Sequence, residues 1–291
     1  MQIVLNSTAT MHCNVLTDIA IARRAGFDGI EIIHQKLYRF LDEGGKISDL
    51  QKALGDFPVV GVGALWDADR PDDEGLNQVK AETRRMSNVA QALGCRMVQA
   101  VPGPVDISLV QAFHAGTLAD DDKRYRGYLG QPWPVIRKGT ARNVREIARI
   151  LQENNQELYV EPLGWAPFCS VKQAVEIIDE AEQDNVGMIV DLWHCYVAGD
   201  TPDDVASLDK KLIKGVHVCD SLRYEGGVPD QDILRNVMTG EGTIYLKEWM
   251  DAIRATGFDG WFACELFSRK HHEMDPFQLA LTLRNFMEYI I

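Results

Sequence analysis

Several things are scarce in this chain. No apolar run approaches the roughly 20 residues that a membrane-spanning helix needs, and the opening MQIVLNSTAT lacks the basic stretch and apolar core of an export signal. A soluble, cytoplasmic protein is expected. Positive charge is outnumbered, with 30 Lys and Arg against 43 Asp and Glu and a formal net charge of −13. A surface of that sign repels phosphate backbones and anionic bilayers, so no nucleic acid and no membrane are expected as partners. The six cysteines (Cys13, Cys95, Cys169, Cys195, Cys219, Cys264) form no C-x-x-C pair. They read as reduced core thiols rather than a disulfide scaffold or a zinc ribbon. No G-x-G-x-x-G follows a strand pattern and no G-x-x-x-x-G-K-[ST] occurs, which leaves nucleotide-phosphate cradles unsupported.

What is present is alternation. Short β-branched runs stand at 2–6, 28–33, 58–63, 96–101, 157–162, 187–191, 212–218 and 261–266. Amphipathic segments separate them, several with a polar or proline start, a 3.6-residue apolar period and a glycine near the end. ARRAGFDGIEI and IRATGFDGWFACEL are near copies of one helix-turn-strand step. Eight such steps in 291 residues, 46% of them hydrophobic, with no break in composition, predict a single (β/α)₈ TIM-barrel domain over residues 1–291. One connection is too long for the pattern. From Pro102 to Gly139 the chain carries an insertion after the fourth strand, on the face where barrel active sites lie. It reads as a lid, an oligomer arm or a tolerated surface insertion.

The last four strands share a feature. Strand five runs into Glu161, strand six into Asp191, strand seven carries His217 and strand eight runs into Glu265. An acid at a strand end commonly caps the next helix, and a lone histidine commonly satisfies a local hydrogen bond. Four consecutive strands ending this way favour one shared cause, because barrel strand ends converge and clustered acids repel one another without a cation. Three carboxylates and one imidazole suit one divalent metal ion, Mn²⁺ first, with Mg²⁺, Co²⁺, Fe²⁺ or Zn²⁺ also compatible. Glu31, ending strand two, points toward the same mouth as a contact for a substrate hydroxyl. Trp66, after strand three, offers an apolar wall for a substrate face.

The motifs VEPLG, DLWHCYVAGD, GVHVCD, the GEG of MTGEGTIYL and CELF resemble those of the xylose-isomerase-like TIM-barrel sugar isomerases and epimerases. Within that group, NSTATM, FDGIEI with QKLYRFL, GALWDADRPDDEG and the terminal ELF resemble the inosose (2-keto-myo-inositol) isomerases. The resemblance covers nearly the whole chain outside 102–139. It implies Glu161, Asp191, His217 and Glu265 as metal ligands, with Glu161 and Glu265 also as catalytic bases. It further implies His194 and Arg223 as substrate-binding residues, Arg223 from its place six residues after His217. Two departures stand near the expected substrate. Thr239 replaces a proline before the GEG turn, with Arg235 displaced, and Gly63 stands where a polar residue is usual.

The expected chemistry is proton transfer beside the carbonyl of a keto-sugar or keto-polyol through an enediolate, catalysed by a metal-bound isomerase or epimerase. A lyase acting by β-elimination, of the inosose or dehydroshikimate dehydratase type, uses the same first step. An abasic-site endonuclease needs further histidines near strands two and three and an H-x-D or D-x-H unit near strand seven, whereas the third and fourth strands end in GVGALW and QAVPGP without histidine. A barrel that has lost chemistry is disfavoured by the complete ligand set. Basic residues that could grip a phosphate are few near the strand ends, which favours an uncharged polyol, and a homo-oligomer is compatible with the class.

Overall fold

The computed structural model describes residues 1–291, and its strands form where the β-branched runs stand. They are β1 Gln2–Asn6, β2 Gly29–Ile33, β3 Val59–Leu65, β4 Met97–Ala100, β5 Glu157–Val160, β6 Val186–Asp191, β7 Ile213–His217 and β8 Trp261–Cys264. All pair in parallel in chain order, and β1 pairs with β8 from Gln2↔Trp261 to Leu5↔Cys264, which closes the barrel. Closure leaves no exposed sheet edge.

Two apolar regions hold this together. A large cluster fills the space between the barrel and its outer helices, with Ile30, Ile32, Val62, Val98, Leu158 and Val216 on the strands. A second, small one lies inside the barrel and contains Val4, Tyr159, Ile189, Trp261 and Ala263. The interior is thus packed with side chains, and the polar cavity opens at its upper end. Glycines make room for the large rings: a Cβ on Gly215 would stand 2.3 Å from the Trp261 indole, and one on Gly61 would stand 2.4 Å from the Tyr159 hydroxyl.

The long connection after β4 is shorter than the sequence suggests. A helix over Ile107–His114 and an irregular stretch fill it, and the outer helix begins at Trp133 rather than after Gly139. Pro134 explains the early start, since proline is tolerated in the first helical turn, where its missing N–H has no partner to lose. The connection is tied down across the mouth. Asp67 and Asp69 accept hydrogen bonds from the backbone N–H groups of Val105 and Gly103, Tyr125 donates to Asp69, and the Trp165 indole donates to the Pro104 carbonyl. No helix is long and apolar enough to cross a membrane.

Candidate metal centre and active site

Register brings the strand-end residues together. Asp191 and His217 are direct neighbours across β6 and β7, while Glu161 and Glu265 follow β5 and β8 by one residue. One ligand atom from each of the four lies within 4.8 Å of the others. Nδ1 of His217 faces Oε1 of Glu161 at 3.2 Å, Oδ2 of Asp191 at 3.6 Å and Oε2 of Glu265 at 3.9 Å. Its other nitrogen, Nε2, is 2.8 Å from Oε2 of Glu31. Glu31 also accepts from Asn6 Nδ2 and from the Tyr159 hydroxyl, each at 2.6 Å. A carboxylate that takes the Nε2 proton leaves Nδ1 as the lone-pair donor toward the acids, an arrangement that orients histidine ligands of metals.

Electrostatics point the same way. Burial pushes the Glu161 carboxyl up to about 8, helped by the Glu265 and Asp191 charges and opposed by His217. Burial also raises Glu265, against the pull of Arg235 and His217. Burial alone would strip the proton from His217, but Glu31, Glu265 and the other acids hold its pKa well above 6.5. Hard oxygen donors, one nitrogen and more carboxylates than cations at the cluster fit a divalent metal.

A cavity of about 580 Å³ opens over this cluster. Glu161 and Glu265 line it, whereas Asp191 and His217 lie beneath them. Gln99, on β4, donates from Nε2 to Oε2 of Glu161 at 2.6 Å. A Cβ on Gly63 would stand 1.9 Å from Oε1 of Gln99, so the glycine that departs from the expected polar residue makes room for a polar side chain from the neighbouring strand. Gln99 went unnoticed in the sequence, although an amide inside the buried run RMVQAV was the signal.

His194 stands at the cavity wall, its Nδ1 accepting the Gly164 N–H at 2.9 Å. That contact makes Nε2 the protonated nitrogen of the neutral ring. Burial holds its pKa down to about 3, although Asp191 pulls it upward, so His194 is a neutral hydrogen-bond donor. Its backbone N–H also donates to Asp191, whose side chain caps the helix Leu192–Ala198. Trp66 lines the cavity too, with 44% of its surface exposed.

Two expectations need correction. Arg223 is not at the cavity, being exposed and paired with Glu225 at 2.8 Å. Arg235 stands in the wall instead, donating to Glu265 Oε2 at 2.8 Å between the rings of Trp193 and Phe267. The connection after β7 swings Arg223 outward and returns through the short helix Gln231–Leu234, which Arg235 ends. Glu31 lies in the middle of β2 and not at its end, so its side chain sits beneath the mouth and supports His217 rather than meeting a sugar hydroxyl. The GEG turn is likewise away from the cavity: the N–H groups of Gly240 and Gly242 wrap the Asp220 carboxylate. The NSTATM stretch does reach the site, since Thr8 lines the cavity and the Ser7 and Thr10 carbonyls accept from buried Lys36.

Fold and site together define a parallel (β/α)₈ barrel that gathers a metal-competent set of donors at the carboxyl ends of its last four strands. The chain belongs to the Xylose isomerase-like TIM barrel family, which it matches over residues 19–288. It is 23% identical to the inosose isomerase of Bacillus velezensis, covering 100% of this chain and 97% of that one. It is 24% identical to the 3-dehydroshikimate dehydratase of Pseudomonas aeruginosa, covering 90% of this chain and 36% of that one. Among solved structures it shares its fold with the IolI protein carrying a bound zinc atom, at TM-score 0.85 and 22% identity over 100% of this chain and 98% of that one.

Proposed function

We propose that the protein is a cytoplasmic, divalent-metal-dependent isomerase or epimerase of a keto-sugar or keto-polyol of the inosose type, working by proton transfer beside the ring ketone. The observation that carries this reading is the cluster of Glu161, Asp191, His217 and Glu265 at the floor of a cavity, with His217 oriented by Glu31. Those four residues would hold the ion, Mn²⁺ by preference, with Mg²⁺, Co²⁺, Fe²⁺ and Zn²⁺ also suited to the donors. When bound, such an ion withdraws charge from a carbonyl and acidifies the neighbouring C–H. Six free cysteines, four of them buried, suit a reducing compartment.

The chain's own groups divide the remaining work. Glu161 and Glu265 are the two carboxylates that both join the cluster and reach the cavity, so one removes the α-proton and one of the pair returns it. Gln99 and Arg235 fix these carboxylates from opposite sides. His194 presents Nε2–H to a substrate oxygen, and its neutrality keeps it from drawing the proton. Val105, on the connection after β4, forms part of the cavity rim.

Exchange of the α-hydrogen of 2-keto-myo-inositol with D₂O, followed by NMR, tests the reading. The metal-loaded protein should catalyse exchange, and Glu265→Gln and Glu161→Gln should each slow it by about 10²–10⁴-fold. Full exchange in both variants would remove these residues from the proton path. The family relationship to a dehydratase makes loss of water the alternative outcome, visible as a mass decrease of the product.

A further inference from the structure

The cavity is larger than one polyol ring requires, and its chemistry changes from one side to the other. Its volume is about 580 Å³, within the range that takes drug-sized ligands. A ring ketone of the inositol kind has about twelve non-hydrogen atoms. Even at the roughly 30 Å³ that a water occupies in the liquid, these fill only about 360 Å³. The proton-transfer groups Glu161 and Glu265 follow β5 and β8, so a ring placed on them leaves the part of the mouth above β2 and β3 empty.

That part is built differently. Trp66 follows β3 by one residue, and its indole meets the His34 ring edge to face at 5.2 Å. His34 is itself held by a hydrogen bond from Nδ1 to the Gly63 carbonyl at 3.1 Å and by the Tyr38 ring at 5.7 Å. The result is a fixed flat platform with 44% of the tryptophan exposed. Gln35 and Arg39, one turn apart on the helix His34–Asp42, line the same side and are exposed. Neighbouring arginines are spent on partners: Arg85 pairs with Asp42 and Arg142 with Asp73. Arg39 lines the cavity, and its guanidinium makes no ion pair and donates no hydrogen bond to the protein, the open cation of a mouth on an otherwise acidic molecule.

We infer that Trp66, Gln35 and Arg39 form a second subsite, and that the substrate is a keto-sugar ring joined through a glycoside-type link to a flat apolar group bearing a negative charge. The ring lies against Glu161, Glu265 and His194, the flat group on the Trp66 indole and the charge at Arg39. The inference rests on the reaction proposed above and refines it by naming the substrate class. It also accounts for a floor without a spare cation beneath a mouth that has one: the ring is uncharged and the charge belongs to the second group.

Calorimetric titration with three probes tests it: the methyl, phenyl and 4-carboxyphenyl 3-keto-β-D-glucosides, added to the Mn²⁺-loaded protein. The phenyl compound should bind about three- to tenfold more tightly than the methyl one through stacking. The carboxyphenyl compound should gain a further factor of about two to five from the open guanidinium. Trp66→Ala should erase the first ratio and Arg39→Gln the second, the two read separately. Equal affinity for all three probes, no binding of any, or ratios that survive these substitutions would overturn the subsite. Exchange of the α-hydrogen of the same compounds with D₂O is read in parallel. Exchange without graded affinity overturns the subsite and leaves the reaction standing. Graded affinity without exchange supports the subsite and counts against the reaction.

Discussion

Glu31 takes the Nε2 hydrogen bond of His217 at 2.8 Å across 186 residues of sequence, so a strand-two carboxylate aims an imidazole on strand seven. Burial would raise the Glu31 carboxyl, but the His217 charge and hydrogen bonds from His217, Tyr159 and Asn6 hold it below its ordinary value. It therefore acts as a permanent acceptor. Glu31→Gln should weaken divalent-metal binding by about 10–100-fold, as loss of such supporting partners does elsewhere, and competition with a fluorescent chelator measures it.

Metal removal should abolish activity and lower thermal stability together. A ligand that binds only the folded state adds about 2.7 kcal/mol when present at 100 times its dissociation constant. Dialysis against a chelator, then return of Mn²⁺ while the melting temperature is followed, should show loss and recovery. His217→Ala should show neither, because its cluster has lost the nitrogen donor and three acids remain to repel one another.

The same groups predict how stability depends on pH. Glu161 has its folded pKa raised to about 8 from 4.5, so its ionisation costs folding energy that grows as pH rises through that interval. His217 has its folded pKa raised above 6.5, so the stability it contributes is complete at lower pH and is lost as pH rises through the folded value. Both signs agree. The metal-free protein should melt at progressively lower temperature as pH rises from about 4.5 to about 8, more steeply above 6.5 where His217 adds its share, and Mn²⁺ should cancel or reverse that slope.

Arg235 and Arg223 should behave oppositely. Arg235 is buried against Glu265 and Asp191, and Arg235→Gln leaves those acids without their countercharge. A loss of kcat/KM of about 10²-fold is expected, because the Glu265 carboxylate loses the partner that positions it. Arg223→Ala breaks only an exposed pair with Glu225 and should change kcat/KM by less than about fivefold. Steady-state rates of the two variants, measured side by side, decide between the arginines.

A stability test lies beneath the mouth. Lys36 and Asp18 form a buried ion pair at 2.9 Å, and Lys36 also donates to the Ser7 and Thr10 carbonyls. Lys36→Met removes the countercharge of a carboxylate already raised to about 6 by burial. A loss of about 3–5 kcal/mol is expected, seen as a lower denaturant midpoint. Asp18→Asn in the same chain should recover part of it, since no buried charge then remains.

The order of eight strands, the alternation that makes them parallel, and the strand-end positions of Glu161, Asp191, His217 and Glu265 are all legible in the chain, because period and run length are local properties. Which arginine enters the site is not a local property. Arg223 satisfies the spacing and Arg235 fills the place, and the difference is a loop path decided by Trp193, Phe267 and Glu265, contributed by distant segments. Glu31 shows the same limit: its strand was evident, but only closure of the barrel put its carboxylate under His217 instead of beside a substrate. Gln99 and Gly63 likewise have meaning only as a pair, a side chain from β4 occupying the volume that a residue on β3 vacates. Sequence by itself determined the elements and the ligand-bearing strand ends, through periodicity and side-chain type. Tertiary structure alone decided which polar groups face one another in the barrel interior, because the cost of burying each is settled by neighbours far away in the chain.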